Sequence, residues 1–427
     1  MSGDGETIEY ETAGTLFGAL QRGLGRGAIR AATEAGAAEA VFRCVKRDQR
    51  WDTQVEDRTV YLARLVRDLE LPLAPLLGLL GNPPGADGYG RDETFGNVLS
   101  VLTALGTAGN DEAVEGLRLY VAAGPRWAEV LEQVAEEWPR DWWDGLLTVA
   151  RHRIPDAGDN IWWGGRPWTD WAAADEAVEA RLAVWEAGYA AARAAPYRLG
   201  AGGIADAPAE RLLAAIRADG GPWLSALMEL NRRGPEPALL PLLDMLAERA
   251  ESPGAQYAAV GKAVRLLGQR ALPHARRWVA GPEHPLADQA VHVLADHGDV
   301  TDVPVLLAVW ERLAREPEQH CGYDVVAEGL ARIGGPTAGR VVPWLRERWV
   351  TPHSYERAAY LRALLALDPE GADPLLVEGL WDCEKAVRTI AAQRAGLTPV
   401  VRDQLAALRD DPIEEKAVRA IAAARLA

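Results

Sequence analysis

Two nearly identical helical segments lie close to the C-terminus. Residues 384–392 have the sequence EKAVRTIAA, and residues 415–423, which begin 31 positions later, have the sequence EKAVRAIAA. Their apolar positions recur at the spacing of one helix face. A related core, KAVRLL, occupies residues 262–267. Self-similarity at this period predicts a repeat architecture with one supersecondary unit in each period.

Helix-stop residues between the apolar segments predict that each unit is a helical hairpin. The last large apolar residue of each second helix marks the period: Leu267, Leu294, Leu330, Leu365, Ile390 and Ile421. After the first four markers, a helix-stop signal precedes a new apolar segment: Gly268 before 272–279, Gly298 before 303–313, Gly334-Gly335 before 341–349, and Asp368-Pro369 before 375–381. Asp382 and Asp411 precede second helices, so we expect them to act as N-caps.

The Asp, the Val-Arg pair and the small-residue face of residues 382–392 and 411–423 resemble HEAT-type repeats. The resemblance covers about the last 170 residues, with weaker echoes at 97–121 and 223–250. It implies an all-α fold, a right-handed α-solenoid of stacked antiparallel helical hairpins with divergent N-terminal repeats.

We expect three segments along the chain. Divergent N-terminal helical repeats occupy residues 1–125, and the HEAT-like array occupies residues 201–427. Between them, residues 126–200 form a Trp-rich, acidic helical segment with an irregular loop at 154–171. A long ordered loop in a helical fold is often functional. A second Pro- and Gly-rich stretch, residues 80–90, is also expected to be a loop.

Composition and charge narrow the possible functions. The 427 residues are 48% hydrophobic and 25% charged, as in an ordinary folded protein. The formal net charge of −16 makes nucleic acid an unlikely partner, since phosphate binding depends on Lys and Arg. Residues 1–250 carry 38 acidic and 25 basic side chains, whereas residues 251–427 carry 24 and 21, so the acidity belongs to the N-terminal half. A local exception is the basic stretch at 22–50.

Cysteine usage and the N-terminus favour a cytoplasmic protein. Cys44, Cys321 and Cys383 are too few and too scattered for a disulfide framework or a thiolate zinc site. The acidic N-terminus lacks the basic region of a secretory signal, and no apolar run is long enough for a membrane span. We therefore expect no membrane association and no cofactor. The oligomeric state is left open.

The strongest candidate site is the Trp-rich acidic segment. Nine of the sixteen tryptophans lie between residues 127 and 185, where twelve acidic residues face five arginines. Indole faces attract cations and carboxylates pair with them, so this surface favours a partner with basic groups. The candidate binding residues are Trp142, Trp143, Trp162, Trp163, Trp168, Asp141, Asp144, Asp159 and Asp170. The alternative is that these indoles fill an irregular junction between repeats.

The densest polar run, residues 46–58, also has two interpretations. It could seat an anion or a base against Arg50, Trp51 and Arg58. The favoured interpretation is a divergent hairpin in which Asp52 caps the second helix. On that interpretation the solvated side carries Glu56 and Arg58, and the side chains that point inward are Val55 and Tyr61.

Neither a metal site nor a catalytic constellation is predicted. His292 and His297 are five positions apart, whereas two helical metal ligands are usually four apart. His320 and Cys321 are adjacent and point apart on a helix, so they do not form a nucleophile and its base.

The main functional hypothesis is a non-catalytic scaffold that binds a protein or peptide, because stacked hairpins present a long surface. The resemblance implies an alternative, since some HEAT-like solenoids are DNA glycosylases that hold a damaged, positively charged base with Trp and Asp. A third possibility is a small-molecule-binding or tailoring protein whose pocket is lined by the Trp-rich loop.

Overall fold

The computed structural model describes residues 9–47, 49–81, 93–156, 161–194, 206–218, 221–250, 254–281, 284–315 and 321–427. Within these ranges the chain is helical and contains no β-strand, which confirms the all-α prediction. None of the helices in these ranges is both long enough and apolar enough to cross a bilayer. The predicted loop at 80–90 falls largely outside the described residues, as does Asp159.

The α-helices are numbered here in chain order. The first twelve are α1 Leu16–Gln21, α2 Gly25–Ala31, α3 Ala37–Lys46, α4 Thr59–Asp68, α5 Ala74–Leu79, α6 Glu93–Thr107, α7 Asp111–Ala123, α8 Trp127–Glu137, α9 Arg140–Trp143, α10 Leu147–Arg153, α11 Trp168–Ala172 and α12 Glu176–Ala194. The next eleven are α13 Ala209–Arg217, α14 Trp223–Arg233, α15 Leu243–Arg249, α16 Ala255–Leu267, α17 Leu272–Val279, α18 Ala287–His297, α19 Val303–Leu313, α20 Tyr323–Ile333, α21 Gly335–Ala338, α22 Val342–Arg348 and α23 Arg357–Leu367. The last four are α24 Asp373–Gly379, α25 Lys385–Arg394, α26 Pro399–Asp410 and α27 Lys416–Leu426.

Local sequence explains where many of these helices begin and end. The side chain of Asn110 accepts a hydrogen bond from the Ala113 amide at 2.9 Å and caps α7. Thr398 caps α26, whose first residue is a proline that lacks the amide hydrogen a helix start leaves unpaired. Gly268 and Gly334 end α16 and α20 with positive φ angles of 54° and 71°, which glycine adopts without strain.

The described residues form two compact units. The first comprises residues of Met1–Ala194, Val350–Ala358 and Asp373–Ala427, and the second comprises residues of Ala195–Trp349 and Ala359–Ala372. In the second unit, α14, α16, α18 and α20 pack one upon the next, and α13, α17 and α19 pack against them as hairpin partners.

Side-chain contacts in the second unit recur at one repeat length. Arg332 donates to the carbonyl oxygens of Ala295 at 2.7 Å and Gly298 at 2.6 Å, at the C-terminal end of α18. Arg249 donates to the carbonyl of Ile216 at 2.7 Å, at the end of α13. Each guanidinium satisfies carbonyl groups that the end of a helix leaves without a partner. In both cases a helix is joined in the same way to the helix two positions before it.

In the first unit, an early helix packs against residues far along the chain. Helix α2 packs on α24, and the Cys383 amide donates to the carbonyl of Gly23 at 3.0 Å. A Cβ atom at Gly25 would overlap the carbonyl oxygen of Glu378, and one at Gly23 would lie 2.5 Å from the sulfur of Cys383. Only glycine lets the two backbones approach this closely. The N-terminal helices thus pack closely against residues that lie about 350 positions further along the sequence.

Candidate functional site

Most rings of the Trp-rich segment form a buried aromatic core in the first unit. Trp143, Trp168 and Trp171 are fully buried. The centroid of the Trp171 ring lies 5.7 Å from the centroids of both Trp143 and Trp168, and Trp127 meets Trp168 edge to face at 6.1 Å. Such tilted and edge-to-face pairs stabilise a core beyond their buried area. These tryptophans fill the junction between α8, α9 and α11.

Carboxylates in this segment bind the buried indole groups. Trp168 Nε1 donates to Glu132 Oε1 at 2.8 Å, and Trp171 Nε1 donates to Asp144 Oδ1 at 2.8 Å. Burial raises the pKa of Glu132, although the hydrogen bonds from Trp168 and the Trp162 amide oppose this shift. Asp144 also pairs with Arg140 at 3.4 Å. Part of the acidic character predicted for the surface is therefore used inside the fold.

Three aromatic rings of the same segment remain at the surface. We call Trp162, Trp185 and Tyr189 the aromatic patch. Trp162 is 59% exposed and Tyr189 is 48% exposed, whereas Trp185 is half-buried between them. The centroids of Trp162 and Trp185 are 5.4 Å apart, edge to face, and Trp185 stacks on Tyr189 at 5.1 Å. Trp185 and Tyr189 are one turn apart on α12.

Hydrogen bonds join the loop that carries Trp162 to helix α8. The Trp162 amide donates to Glu132 Oε1 at 2.8 Å, and the Arg166 amide donates to Glu136 Oε1 at 3.4 Å, one turn further along α8. A Cβ atom at Gly164 would overlap the Trp185 ring, so this position needs glycine where the loop crosses α12. The exposed indole is therefore held in place before any partner arrives.

The remaining predicted site residues occupy different surroundings. Trp142 is half-buried against Trp138, with centroids 5.8 Å apart, and Trp163 is half-buried against Trp168 at 5.1 Å. Asp141 is exposed, and Asp170 of α11 pairs at 3.3 Å with Arg166, which lies just before that helix. Helix α11 begins at Trp168, inside the stretch predicted to be irregular. Each Trp-Trp doublet thus has one ring more exposed than the other, as expected for neighbours that point in different directions.

Sequence reasoning missed a buried ion cluster in the first unit. We define it as Glu56, Arg58, Ser354, Arg357, Asp382, Cys383 and Glu384. Arg357 and Asp382 are fully buried and form two hydrogen bonds, at 2.9 and 2.8 Å. Arg58 Nη1 donates to Ser354 Oγ at 2.7 Å and lies 3.7 Å from Glu384. Ser354 Oγ in turn donates to Glu384. The attraction between the paired charges and their hydrogen bonds offsets part of the desolvation cost of burying them.

Three predictions for residues 46–58 were wrong. Glu56 and Arg58 do not lie on a solvated side, because they are 3% and 6% exposed and take partners from residues 354–384. Val55 does not point inward, since it is 57% exposed. Asp52 does not cap a helix, because α4 begins only at Thr59, and its carboxylate accepts from the Gln54 amide instead. Tyr61 is buried as predicted.

Asp382 also differs from its predicted role. Helix α25 has Glu384 at its N-cap position, without a capping side-chain hydrogen bond. Asp382 accepts from the Glu384 amide at 2.9 Å, and both of its oxygens bind Arg357. The sequence signal that could have drawn attention to this residue is the Asp-Cys-Glu triplet directly before the repeat helix. The sequence around its partner, Arg357, contains no comparable signal.

The cluster contains a thiol but no evident nucleophile. Arg58 Nη1 and Arg357 Nη2 lie 2.7 and 3.2 Å from Cys383 Sγ. Burial raises the pKa of Cys383 above its ordinary value, and Asp382 and Glu384 add to this effect, while the two guanidinium groups oppose it. The three carboxylates already balance the charges of Arg58, Arg357 and the nearby Arg22. Burial therefore disfavours the thiolate form of Cys383, which is the reactive form of a thiol.

The histidines give no metal centre in the part of the chain that the structure describes. No group of three or more His, Cys, Asp or Glu side chains there is arranged to hold a metal ion. His292 is half-buried beside Arg265, and burial followed by the charge of Arg265 lowers its pKa. His284 stacks on Trp278 with centroids 5.7 Å apart.

Comparison with known proteins adds no relative. No protein-family model, no curated protein and no solved structure matches this chain.

Proposed function

We propose that this protein is a non-catalytic HEAT-like scaffold that binds a basic protein or peptide segment through the aromatic patch. The observation that carries the proposal is the exposure of Trp162 and Tyr189, with the half-buried Trp185 in contact with both, in a segment whose other indoles are buried or half-buried. Large exposed aromatic side chains are costly in water and are typical of binding surfaces.

The solenoid part of this proposal is supported by the second unit. Helices α14, α16, α18 and α20 contact one another in order, as the second helices of stacked hairpins do. The hydrogen bonds from Arg249 and Arg332 to preceding helix ends span 33 and 37 residues, close to the 31-residue period of the sequence repeat.

Charge complementarity favours a basic partner. Glu136 lies on α8 beneath the loop that carries Trp162, and Glu186 follows Trp185 on α12; both are exposed. Arg166 is paired with Asp170 and contributes little net charge. A Lys or Arg side chain over an indole face gains about 0.5–1 kcal/mol at an exposed site. The exposed cation Arg181, one turn before Trp185, acts in the opposite direction.

The described part of the first unit gives the nucleic-acid alternative no specific support. Several arginines of the basic stretch at 22–50 are already paired with carboxylates. Arg26 forms a bidentate pair with Glu378, Arg30 pairs with Glu34, and Arg43 pairs with Glu11. Paired cations contribute less to phosphate binding than free ones.

The test is the binding of a fluorescently labelled decapeptide rich in Lys and Arg, measured by anisotropy, with a Gln-substituted peptide as the comparison. Trp162→Ala should weaken binding about tenfold, which corresponds to roughly 1.4 kcal/mol. Arg181→Gln should strengthen it, since the change removes a repelling charge. Trp51→Ala is the matched control, because Trp51 is a 40% exposed indole of the same unit outside the patch.

Equal binding of the two peptides would overturn the charge argument. A basic peptide that binds Trp162→Ala as well as the unaltered protein would exclude the aromatic patch as its site.

A further inference from the structure

A mostly apolar cavity of about 300 Å³ lies in the first unit between helices α2, α4 and α26. Its apolar lining includes Ile29, Leu65, Leu69, Trp381 and Leu408. Leu65 and Leu408 are buried, whereas Ile29 is 43% exposed, so the cavity opens to solvent beside α2. Cavities of this size accept small molecules.

The charged side chains that line this cavity already have partners. Arg64 Nε donates to Asp411 Oδ2 at 2.7 Å, and Arg64 Nη2 donates to Glu414 at 3.0 Å. Arg67 donates to Asp68 at 2.8 Å and to Asp411 at 3.1 Å. An ionised ligand would lose its hydration without meeting an unpaired opposite charge, which is costly. The cavity therefore favours a neutral ligand.

Two neutral polar groups of the lining are unused. Gln404 Nε2 lies 3.4 Å from the carbonyl oxygen of Leu380, which places the Gln404 side chain close to Trp381, the next residue. Among the described residues, neither Gln404 Oε1 nor Trp381 Nε1 has a hydrogen-bond partner. The Tyr61 hydroxyl, by contrast, donates to the carbonyl of Leu24 at 2.9 Å.

These two groups differ in what they require of a ligand. Both Trp381 and Gln404 are half-buried, so their polar atoms are better satisfied by a ligand than by the apolar walls. The indole N–H of Trp381 can only donate, and Gln404 Oε1 can only accept. A carboxamide supplies both an oxygen that accepts and an N–H that donates, and it carries no charge.

We infer that this cavity binds a small neutral molecule with an apolar body and a carboxamide group. The carboxamide oxygen accepts from Trp381 Nε1, and its N–H donates to Gln404 Oε1. The apolar body lies against Ile29, Leu65 and Leu408. This site is separate from the one proposed for a basic peptide, because no residue of the aromatic patch lines the cavity.

The first experiment compares three probes by isothermal titration calorimetry with the full chain. The probes are 3-phenylpropanamide, 3-phenylpropanoate and 3-phenylpropylamine, which share an apolar body and differ in the polar group. We expect the amide to bind about tenfold more tightly than either charged probe, a difference of roughly 1.4 kcal/mol. Equal binding of the three probes, tighter binding of a charged probe, or no binding of the amide at millimolar concentration would overturn the inference.

Two variants locate the site, after circular dichroism has confirmed that each retains its helical content. Trp381→Phe keeps an aromatic ring and removes the N–H, so it should weaken binding of the amide about fivefold, as expected for one neutral hydrogen bond. Its matched control is Trp51→Phe, since Trp51 is an exposed indole of the same unit that does not line the cavity. An equal effect of these two variants would overturn the assignment.

The second variant blocks the cavity. Ala407 lines it from an exposed position on α26, so Ala407→Phe should abolish binding of the amide without disturbing the core. Ala38→Phe is the control, because Ala38 is an exposed alanine of α3 outside the cavity. Binding of the amide that survives Ala407→Phe would exclude this cavity as its site.

Discussion

The contacts that stabilise each compact unit internally differ in how far apart their residues are along the chain. In the second unit, hydrogen bonds from Arg249 and Arg332 reach back 33 to 37 residues, about one repeat. In the first unit, Arg26 pairs with Glu378 and Arg64 pairs with Glu414, across 352 and 350 residues. A repeated sequence therefore explains the packing within the second unit, whereas the first unit depends on contacts between distant parts of the sequence.

The ion pairs of the two units also differ in how deeply they are buried. The pair formed by Arg362 and Glu328 in the second unit is exposed, with 52% and 49% of the two side chains accessible. Arg357 and Asp382 in the first unit are fully buried. Breaking an exposed pair costs little, because water solvates the freed charge. Breaking a buried one leaves a charge without solvent or partner. The first unit should therefore be the more sensitive to single substitutions.

The largest expected effect comes from Asp382→Ala. Arg357 would keep its buried charge and lose both hydrogen bonds to the carboxylate, so the free energy of unfolding should fall by about 3–5 kcal/mol. Urea denaturation followed by circular dichroism measures this change. The matched control is Glu34→Ala, which breaks the exposed pair with Arg30 in the same unit and should cost about 0.3–0.5 kcal/mol. Similar losses in the two variants would show that burial does not distinguish these pairs.

A somewhat smaller effect is expected from Gly25→Ala. The new methyl group would overlap the carbonyl oxygen of Glu378 and push α2 away from α24. Overpacking of this kind costs about 1–3 kcal/mol. Limited proteolysis should then cut first within residues 9–47. Gly14→Ala serves as the control, because its Cβ meets no atom within 4 Å. If both variants resist protease equally, α2 does not need this close approach.

These contacts mark the limit of what the sequence could predict. The glycine stop signals and the apolar spacing were sufficient to predict segments 272–279 and 303–313, which coincide with α17 and α19. Such predictions succeed because apolar spacing, glycine stops and caps act within a few residues. Glu56 and Arg58 were placed wrongly because their partners lie about 300 residues away. No local pattern indicates that charged side chains will find buried partners at that separation.

The Trp-rich segment shows the same limit at the level of the candidate site. The sequence locates the cluster of indoles, and adjacency within a doublet predicts that both rings cannot face one way. It does not say which ring is buried, because that depends on the acceptors Glu132 and Asp144 and on glycines that admit the loop. Trp143 lies in the core, whereas Trp162 lies at the surface. A binding experiment that substitutes both would confuse unfolding with loss of a site.

Acid should weaken the first unit through Asp411 and Glu414. Burial alone would raise the pKa of each carboxyl, but Arg64 and Arg67 outweigh it at Asp411, and Arg388 and Arg64 outweigh it at Glu414, so both pKa values are lowered. A lowered pKa in the folded state means that the stabilisation is complete above the ordinary values of 3.8 and 4.5. It is lost as the pH falls through the lowered values.

The urea midpoint of the unaltered protein should therefore drop between about pH 5 and pH 2. The double variant Asp411→Asn with Glu414→Gln should be less stable at pH 7 and lose part of this pH dependence. Burial raises the pKa of Glu56, so protonation of that carboxyl acts in the opposite direction and Glu56→Gln should steepen the acid loss. An unchanged pH profile in the double variant would show that these two carboxyls do not control acid stability.

The smallest effect is expected from Glu328→Ala in the second unit. Arg362 Nε lies 3.0 Å from Glu328 Oε1, but both side chains are about half exposed, so the pair should contribute about 0.2–1 kcal/mol. Salt at 1 M screens exposed charges over about 3 Å and should remove most of this difference. Asp382→Ala, measured in the same salt, should keep its full effect because no ions reach the buried arginine. If salt reduced the two effects in the same proportion, the contrast between an exposed repeat contact and a buried long-range contact would fail.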